Sequence, residues 1–63
     1  MATIAQLKRW KKYQRFTFKG ERLYFIRYEK LARLHFVVFQ RFLGAREESI
    51  FGYEKIRQIK TGW

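Results

Sequence analysis

This chain contains no cysteine, proline, aspartate or asparagine. Without cysteine it forms neither a disulfide nor a thiolate metal site, and the single histidine, His35, is too few for a zinc cluster. The carboxylate side chains are five glutamates and the only serine is Ser49, so a Ser-His-Asp triad cannot be assembled. No glycine-rich phosphate-binding loop is present either. We therefore expect no bound metal, no cofactor and no enzymatic activity.

Long apolar segments are also missing. The two longest apolar runs, 23–26 and 36–39, have four residues each, whereas a membrane-spanning helix needs about 20. The first residues lack the apolar stretch of a secretory signal. These absences predict a cytoplasmic protein without a transmembrane segment.

The chain has an excess of positive charge and of aromatic rings. Fifteen lysines and arginines against five glutamates give a net charge of +10, and 21% of the residues are aromatic. An apolar content of 48% is too high for a disordered basic tail, so we expect one small basic domain over residues 1–63. Such a domain buries only about 60% of its unfolded surface, and its like charges repel. Binding of an acidic partner, or formation of a homo-oligomer, would add stability.

The positive charge is concentrated in the first half of the chain. Residues 1–33 contain ten cations and two glutamates, and residues 34–63 contain five and three, which gives net charges of +8 and +2. In the segment 8–15, five of eight residues are cationic, with Trp10 and Tyr13 between them. Cations neutralise phosphates and release counterions, and aromatic rings stack on unpaired bases. This pattern predicts a non-enzymatic nucleic-acid-binding domain, with RNA favoured over DNA.

The candidate nucleic-acid contacts lie in this basic segment and along the residues that follow it. They are Lys8, Arg9, Trp10, Lys11, Lys12, Tyr13, Arg15, Arg22, Arg27, Lys30 and Arg33. Tyr24 and Tyr28 are predicted to share one face of a strand, where they would add a stacking platform. Trp10 and Tyr13 also fit a second interpretation, as core contacts of an amphipathic helix.

Residues 3–14 are predicted to form that helix. Thr3 and Gln6 fit a capping box, in which each side chain accepts a hydrogen bond from the main-chain N–H of the other. Apolar residues recur at every third position: Ile4, Leu7, Trp10 and Tyr13. The lysines and arginines between them would form the solvent-facing side of the helix.

The residues after this helix favour strands. Residues 15–28 are predicted to form a β-hairpin that turns at Lys19-Gly20 and pairs Phe16 with Leu23. Residues 34–42 are rich in β-branched and aromatic residues, which predicts a third strand.

The last part of the chain contains shorter signals. Residues 49–52 predict a fourth strand, and residues 53–59 predict either a helical turn plus a short strand or one short helix. Trp63 follows Gly62, which suggests that the indole docks back onto the domain or onto a partner, with a disordered end as the alternative.

These elements predict a small α+β fold, in which an N-terminal helix packs on a strongly bent antiparallel sheet or on a small SH3/Sm-like barrel. The alternative is an all-α fold with one long central helix over residues 21–43, flanked by Gly20 and Gly44. The density of aromatic and β-branched residues in that segment favours the sheet.

Two known layouts resemble this order of elements. An N-terminal helix, a bent sheet and a late segment with Tyr53, Ile56 and Ile59 resemble the Sm-like RNA-binding barrels, which implies RNA binding. Residues 23–28 followed by 34–42 resemble the sheet of small ribosome-dependent ribonuclease toxins, which implies RNA cleavage by Arg, Lys and Tyr. Both resemblances concern layout, and no specific motif accompanies them.

Two other functions remain open beside nucleic-acid binding. Exposed aromatic and arginine side chains are frequent in protein interfaces, so the chain is alternatively a small interaction module or an inhibitor that docks on an acidic protein surface. A ribonuclease of the toxin type is the third hypothesis.

Overall fold

The computed structural model describes residues 2–63, which form a five-stranded antiparallel sheet and two helices of one turn. The elements are α1 (Ile4–Leu7), β1 (Arg15–Phe18), β2 (Glu21–Leu31), β3 (Leu34–Gln40), β4 (Glu48–Phe51), α2 (Tyr53–Ile56) and β5 (Lys60–Thr61). The strands lie in the order β4-β3-β2-β1-β5. The fold is mostly β with a little helix, which is compatible with a small α+β class. Within the described residues, no helix is long and apolar enough to cross a membrane.

The alternative with one long helix over residues 21–43 is wrong. That segment forms β2 and β3, which pair with each other from Tyr24 to Leu31 of β2. The reason is that β-branched and aromatic side chains fit a pleated strand better than a helix. The two strands are joined by a turn at Ala32 and Arg33, and Ala32 has a φ of 56°. No glycine or other usual turn residue marks this turn in the sequence.

Helix α1 is shorter than the sequence predicts. The capping box at its start is present with both hydrogen bonds, but the helix ends at Leu7 and the basic segment is not helical. The N–H of Tyr13 donates to the carbonyl of Phe25 (2.6 Å), and the N–H of Phe25 donates to the carbonyl of Gln14 (2.8 Å). The main chain at residues 13 and 14 therefore bonds to β2 instead of continuing the helix. Tyr13 takes a φ of 73° to do so.

The predicted hairpin is confirmed: β1 and β2 form it, with the predicted turn and pairing. It turns at Lys19 and Gly20, which both have a positive φ (51° and 79°), and Phe16 pairs with Leu23. A turn with two positive φ values matches the right-handed twist of the two strands.

The later elements differ from the predictions only at their ends. β3 ends two residues before the predicted end of 34–42, and β4 lies one residue earlier than the predicted 49–52. Of the two structures predicted for residues 53–59, the helical turn is found as α2, and the short strand lies just beyond this range, as β5.

A bulge in β2 changes which side chains face the core. The pairing with β3 shifts between Phe25 and Arg27, so Ile26 is an extra residue on this strand. Since side chains alternate along a strand, one extra residue exchanges the faces of everything after it. Tyr28 therefore lies on the core face with Phe25, while Tyr24 lies on the outer face. The prediction that the two tyrosines share a face is wrong for this reason.

The core lies on the inner face of the sheet. Phe16 has no exposed surface and meets Phe39 edge to face, with ring centroids 6.3 Å apart. The other members are Ala2, Leu7, Leu23, Phe25, Val37, Ile50, Ile56 and Ile59. Full burial of a large apolar side chain stabilises the fold by about 1.5–3 kcal/mol, so each short helix is held mainly by the one side chain that it buries.

Candidate nucleic-acid interface

Every glutamate lies within 3.9 Å of an arginine. The pairs are Arg27 with Glu29 and Glu47, Arg41 with Glu21 and Glu48, and Arg57 with Glu54. The other twelve lysines and arginines have no carboxylate partner anywhere in residues 2–63. This separation leaves a large excess of positive charge that is available to a ligand.

Arg27 is a predicted contact whose charge is balanced locally. It donates hydrogen bonds to Glu29 and Glu47, and the bond to Glu29 is the largest cause that raises the pKa of Arg27. Arg41 is held similarly, and its hydrogen bond to Glu48 is the largest cause that raises the pKa of Arg41. Both guanidinium groups stay charged, but each is already paired with two carboxylates and is therefore less available to a ligand.

Cations without a carboxylate partner meet aromatic rings on the outer face of the β1–β2 hairpin. Arg15 lies opposite Tyr24 across the two strands, and Trp63 lies over the same face. The indole centroid is 4.9 Å from the guanidinium carbon of Arg15 and 5.8 Å from that of Arg22. Tyr24 meets the indole edge to face, with centroids 5.1 Å apart. We call this group the arginine–indole face: Arg15, Arg22, Tyr24 and Trp63.

Main-chain hydrogen bonds hold Trp63 in place. Its Nε1–H donates to the carbonyl of Phe16 at 3.1 Å and to that of Leu23 at 3.3 Å. The N–H of the preceding Gly62 donates to the carbonyl of Arg15 at 3.0 Å. The docking of Trp63 onto the domain, one of the expectations from sequence, is confirmed. The residue keeps 48% of its surface exposed, so the indole remains accessible to a ligand.

A cleft of about 450 Å³ lies beside the arginine–indole face. It is lined by Thr17, Lys19, Gly20, Gln58 and Lys60. Thr17 lies between Arg22 on β2 and Lys60 on β5. Both lysines belong to the twelve cations that lack a carboxylate partner in the described chain. The cleft therefore has cationic walls and room for an anionic group.

The basic segment, residues 8–15, connects α1 to β1 and continues this positive surface. Its exposed cations before β1 are Lys8, Arg9, Lys11 and Lys12. Tyr13 is exposed too, and the Nζ atom of Lys12 lies 5.2 Å from its ring centroid. The main chain of Tyr13 and Gln14 bonds to Phe25, which follows Tyr24, so the end of the segment reaches the arginine–indole face.

Trp10 and Tyr28 are turned towards the core. Trp10 meets Phe25 edge to face with centroids 5.3 Å apart, and its centroid is 5.8 Å from that of Phe16. The hydroxyl of Tyr28 is hydrogen-bonded to Nδ1 of His35 (2.6 Å), and burial raises the pKa of Tyr28. This packing agrees with the interpretation of Trp10 as a core contact.

Lys30 and Arg33 lie apart from the other predicted contacts. Lys30 lies near the end of β2 and Arg33 lies in the β2–β3 turn, whereas Arg15 and Arg22 lie in the paired part of the β1–β2 hairpin. Of the predicted cations, the structure thus places Arg15 and Arg22 together on the arginine–indole face, and the cations of residues 8–12 lie in the segment that leads to it. The two cations at the β2–β3 turn belong to a different surface.

Trp63 and Lys60 are not among the contacts that the sequence predicts. Both reach this surface because β5 pairs with β1, where Thr17 lies opposite Lys60. The only signal in the sequence is an aromatic residue after a glycine, close to a lysine, and it does not show which strand they join.

The comparisons with known proteins assign no family, since the chain matches no protein-family model, no curated protein and no solved structure.

Proposed function

We propose that this chain is a non-enzymatic nucleic-acid-binding domain that favours single-stranded RNA over DNA. The observation that carries the proposal is the pairing of all five glutamates with three arginines, which leaves twelve cations without a carboxylate partner in residues 2–63. When surface charges serve only to keep a protein soluble, positive and negative side chains are usually interspersed. A surface with cations of one sign over a continuous area favours a polyanion.

The aromatic rings on the same surface favour unpaired bases. Trp63 and Tyr24 lie beside Arg15 and Arg22, and base–aromatic stacking contributes about 1–3 kcal/mol per base. Sequence-specific RNA recognition mostly targets single strands, whose bases are free to stack on side chains. Duplex DNA keeps its bases stacked internally, so it would engage the cations alone.

We also propose that the sheet closes as a small SH3/Sm-like barrel. β1 pairs with β2 on one side and with β5 on the other, β2 bends at Ile26, and α2 connects the two edge strands β4 and β5. The pairing of β5 with β1 is the part of this arrangement that serves the proposed site, because it brings Trp63 and Lys60 onto the β1–β2 hairpin.

In the proposed complex, the arginine–indole face holds one nucleotide and its flanking phosphates. A base stacks on Trp63, and Arg15 and Arg22 donate to the phosphates on either side of it. The cleft at Lys19 and Lys60 takes a further phosphate. Each neutralised phosphate releases counterions, so the affinity falls as salt rises.

The test is a salt series of binding to a short fluorescein-labelled single-stranded RNA. The logarithm of the affinity is expected to fall linearly with the logarithm of the salt concentration. Arg15→Gln and Arg22→Gln are each expected to reduce the slope by about 0.7. Arg27→Gln is the matched control, and it is expected to leave the slope nearly unchanged because Glu29 and Glu47 already engage this guanidinium.

Binding without salt dependence would contradict the proposal, and so would equal slope changes for Arg15→Gln and Arg27→Gln. Single-stranded and duplex DNA of the same length test the preference for RNA. Equal affinities for RNA and both DNA forms would leave nucleic-acid binding in place and remove the RNA preference.

A second candidate is docking on an acidic protein surface. Tyr13 and Trp63 are exposed next to cations, and Tyr, Trp and Arg are the residues that dominate protein interfaces. Competition with heparin separates the candidates, because an unrelated polyanion displaces nucleic acid but not a partner that fits by shape.

A further inference from the structure

An apolar patch covers the outer face of β3, β4 and the last part of β2. We define it as Leu31, Leu34, Phe36 and Phe51. The relative exposures of Leu31, Leu34 and Phe51 are 61%, 46% and 47%, and the rings of Phe36 and Phe51 have centroids 5.2 Å apart. A contiguous exposed apolar area on a small soluble domain marks an interaction surface.

The strand register arranges this surface in three rows. Leu31 lies opposite Leu34 beside the β2–β3 turn. Phe36 lies in the middle row, between Glu29 on β2 and Phe51 on β4. The third row consists of Arg27, Val38 and Ser49. The exposed apolar side chains are therefore in the centre and towards the turn, whereas Val38 in the third row is buried.

The two ends of the patch differ in charge. At the turn end, Arg33 is exposed and has no carboxylate partner in the described part of the chain. At the other end, Glu47 lies 3.3 Å from Arg27, and 46% of its side chain is exposed. An unbalanced cation and an exposed carboxylate thus lie on opposite sides of the same apolar surface.

We propose that two copies of this chain form a dimer through the apolar patch, related by a twofold axis that passes close to Phe36. When this axis lies in the interface and runs across the strands, it lays the turn end of each copy over the third row of the other. Arg33 of one copy then faces Glu47 of the second copy, and the contact occurs twice. The surface matches itself in both apolarity and charge, which makes a second copy the partner that fits it.

Charge also decides which part of the molecule two copies can bring together. Two chains of +10 repel each other, but Glu29 and Glu47 lie beside the apolar patch, where they reduce the local positive charge. The arginine–indole face lies on the β1–β2 hairpin and stays exposed in the dimer. Salt screens the remaining repulsion, so dimerisation is expected to strengthen as salt rises, whereas RNA binding weakens.

Sedimentation equilibrium of the whole chain without nucleic acid tests the dimer. A patch of four side chains is small compared with a standard interface, so we expect a weak dimer with a dissociation constant of about 100 µM that falls in higher salt. Phe51→Ser is expected to weaken the dimer about tenfold. Phe42→Ser, at an exposed phenylalanine outside the patch, is the matched control and is expected to change nothing.

A charge exchange tests the twofold arrangement itself. Arg33→Glu is expected to weaken the dimer, and Glu47→Lys added to it is expected to restore the affinity, which a folding defect could not produce. A parent chain that stays monomeric at about 1 mM overturns the proposal. So does a double variant that is no stronger than Arg33→Glu alone. Neither result bears on RNA binding, which is measured separately.

Discussion

The indole N–H of Trp63 and the carbonyl of Phe16 are 47 residues apart in the chain and 3.1 Å apart in space. Phe16 is fully buried on the inner side of β1, while Trp63 lies over its outer side. The core and the arginine–indole face therefore share one strand, and a change at Trp63 is expected to affect stability and binding together.

Two substitutions at Trp63 separate these effects. Trp63→Phe keeps an aromatic ring and loses the N–H donor, so the free energy of unfolding is expected to fall by about 1 kcal/mol. RNA affinity is expected to change little in this variant. Trp63→Ala also loses the stacking surface, and RNA affinity is expected to fall about tenfold. Urea unfolding and RNA titration measure both, and equal RNA affinities for Trp63→Ala and the parent chain would contradict the stacking role.

Trp10 and Tyr13 are expected to respond differently to removal of their rings. Trp10 packs on Phe25 and Phe16, so Trp10→Ala is expected to lower the free energy of unfolding by about 3 kcal/mol. Tyr13 is exposed, and Tyr13→Ala is expected to lower it by less than about 1 kcal/mol. Urea unfolding of both variants checks this, with Trp10→Phe as the control that retains a ring. A larger loss for Tyr13→Ala would reverse the assignment of the two rings.

The hydroxyl of Tyr28 is expected to make stability fall at alkaline pH. Burial raises the pKa of Tyr28 above its ordinary value of 10.0, so the folded chain keeps this proton at a pH where the unfolded chain loses it. The stabilisation is complete below the unfolded-state pKa and is lost as the pH rises through the folded-state pKa. Tyr28→Phe is expected to remove this part of the alkaline loss. At neutral pH the same substitution is expected to lower the free energy of unfolding by about 1 kcal/mol, because the hydrogen bond to His35 is lost.

The measurement is the free energy of unfolding as a function of pH for the parent chain and Tyr28→Phe. Other tyrosines and the lysines titrate in both proteins, so the difference between the two curves isolates Tyr28. Curves that stay parallel above pH 10 would show that this hydroxyl does not contribute to the alkaline loss.

The turn between β2 and β3 offers a stabilising substitution. Ala32 has a φ of 56°, a region that glycine enters without steric cost and that strains residues with a Cβ atom. Ala32→Gly is therefore expected to raise the free energy of unfolding by about 0.5 kcal/mol. Ala45→Gly is the control, because the φ of Ala45 is not positive, and it is expected to lower stability or leave it unchanged. Thermal unfolding checks both, and a lower stability for Ala32→Gly would contradict the strain at this turn.

The features that could be predicted from sequence depend on neighbouring residues. The capping box needs only Thr3 and Gln6, and the first hairpin needs only the positive φ that Lys19-Gly20 allows. The third strand followed from a continuous run of β-branched and aromatic residues. In each case the physical cause lies within a few positions of the structure it produces.

The features that could not be predicted depend on distant partners. Helix α1 ends early because the main chain at Tyr13 bonds to Phe25, and no local residue stops it. The composition shows the excess of cations. It does not show which cations have a carboxylate partner, because such partners are distant in the chain: Arg41 binds Glu21, which is 20 residues away. The position of Trp63 depends on the pairing of β5 with β1, which two residues of strand cannot reveal.

Because β2 has a bulge at Ile26, the face on which each later side chain lies depends on the number of residues in this strand. If Ile26 were paired regularly with β3 instead of bulging, Arg27 and Glu29 would turn inward and Tyr28 would face solvent, because the second half of the strand would reverse its phase. Insertions of one residue between Phe25 and Leu31 would do the same. Insertions of one residue, whether by mutation or in a designed library, should therefore be tolerated in the loop at residues 41–47 and rejected in this strand.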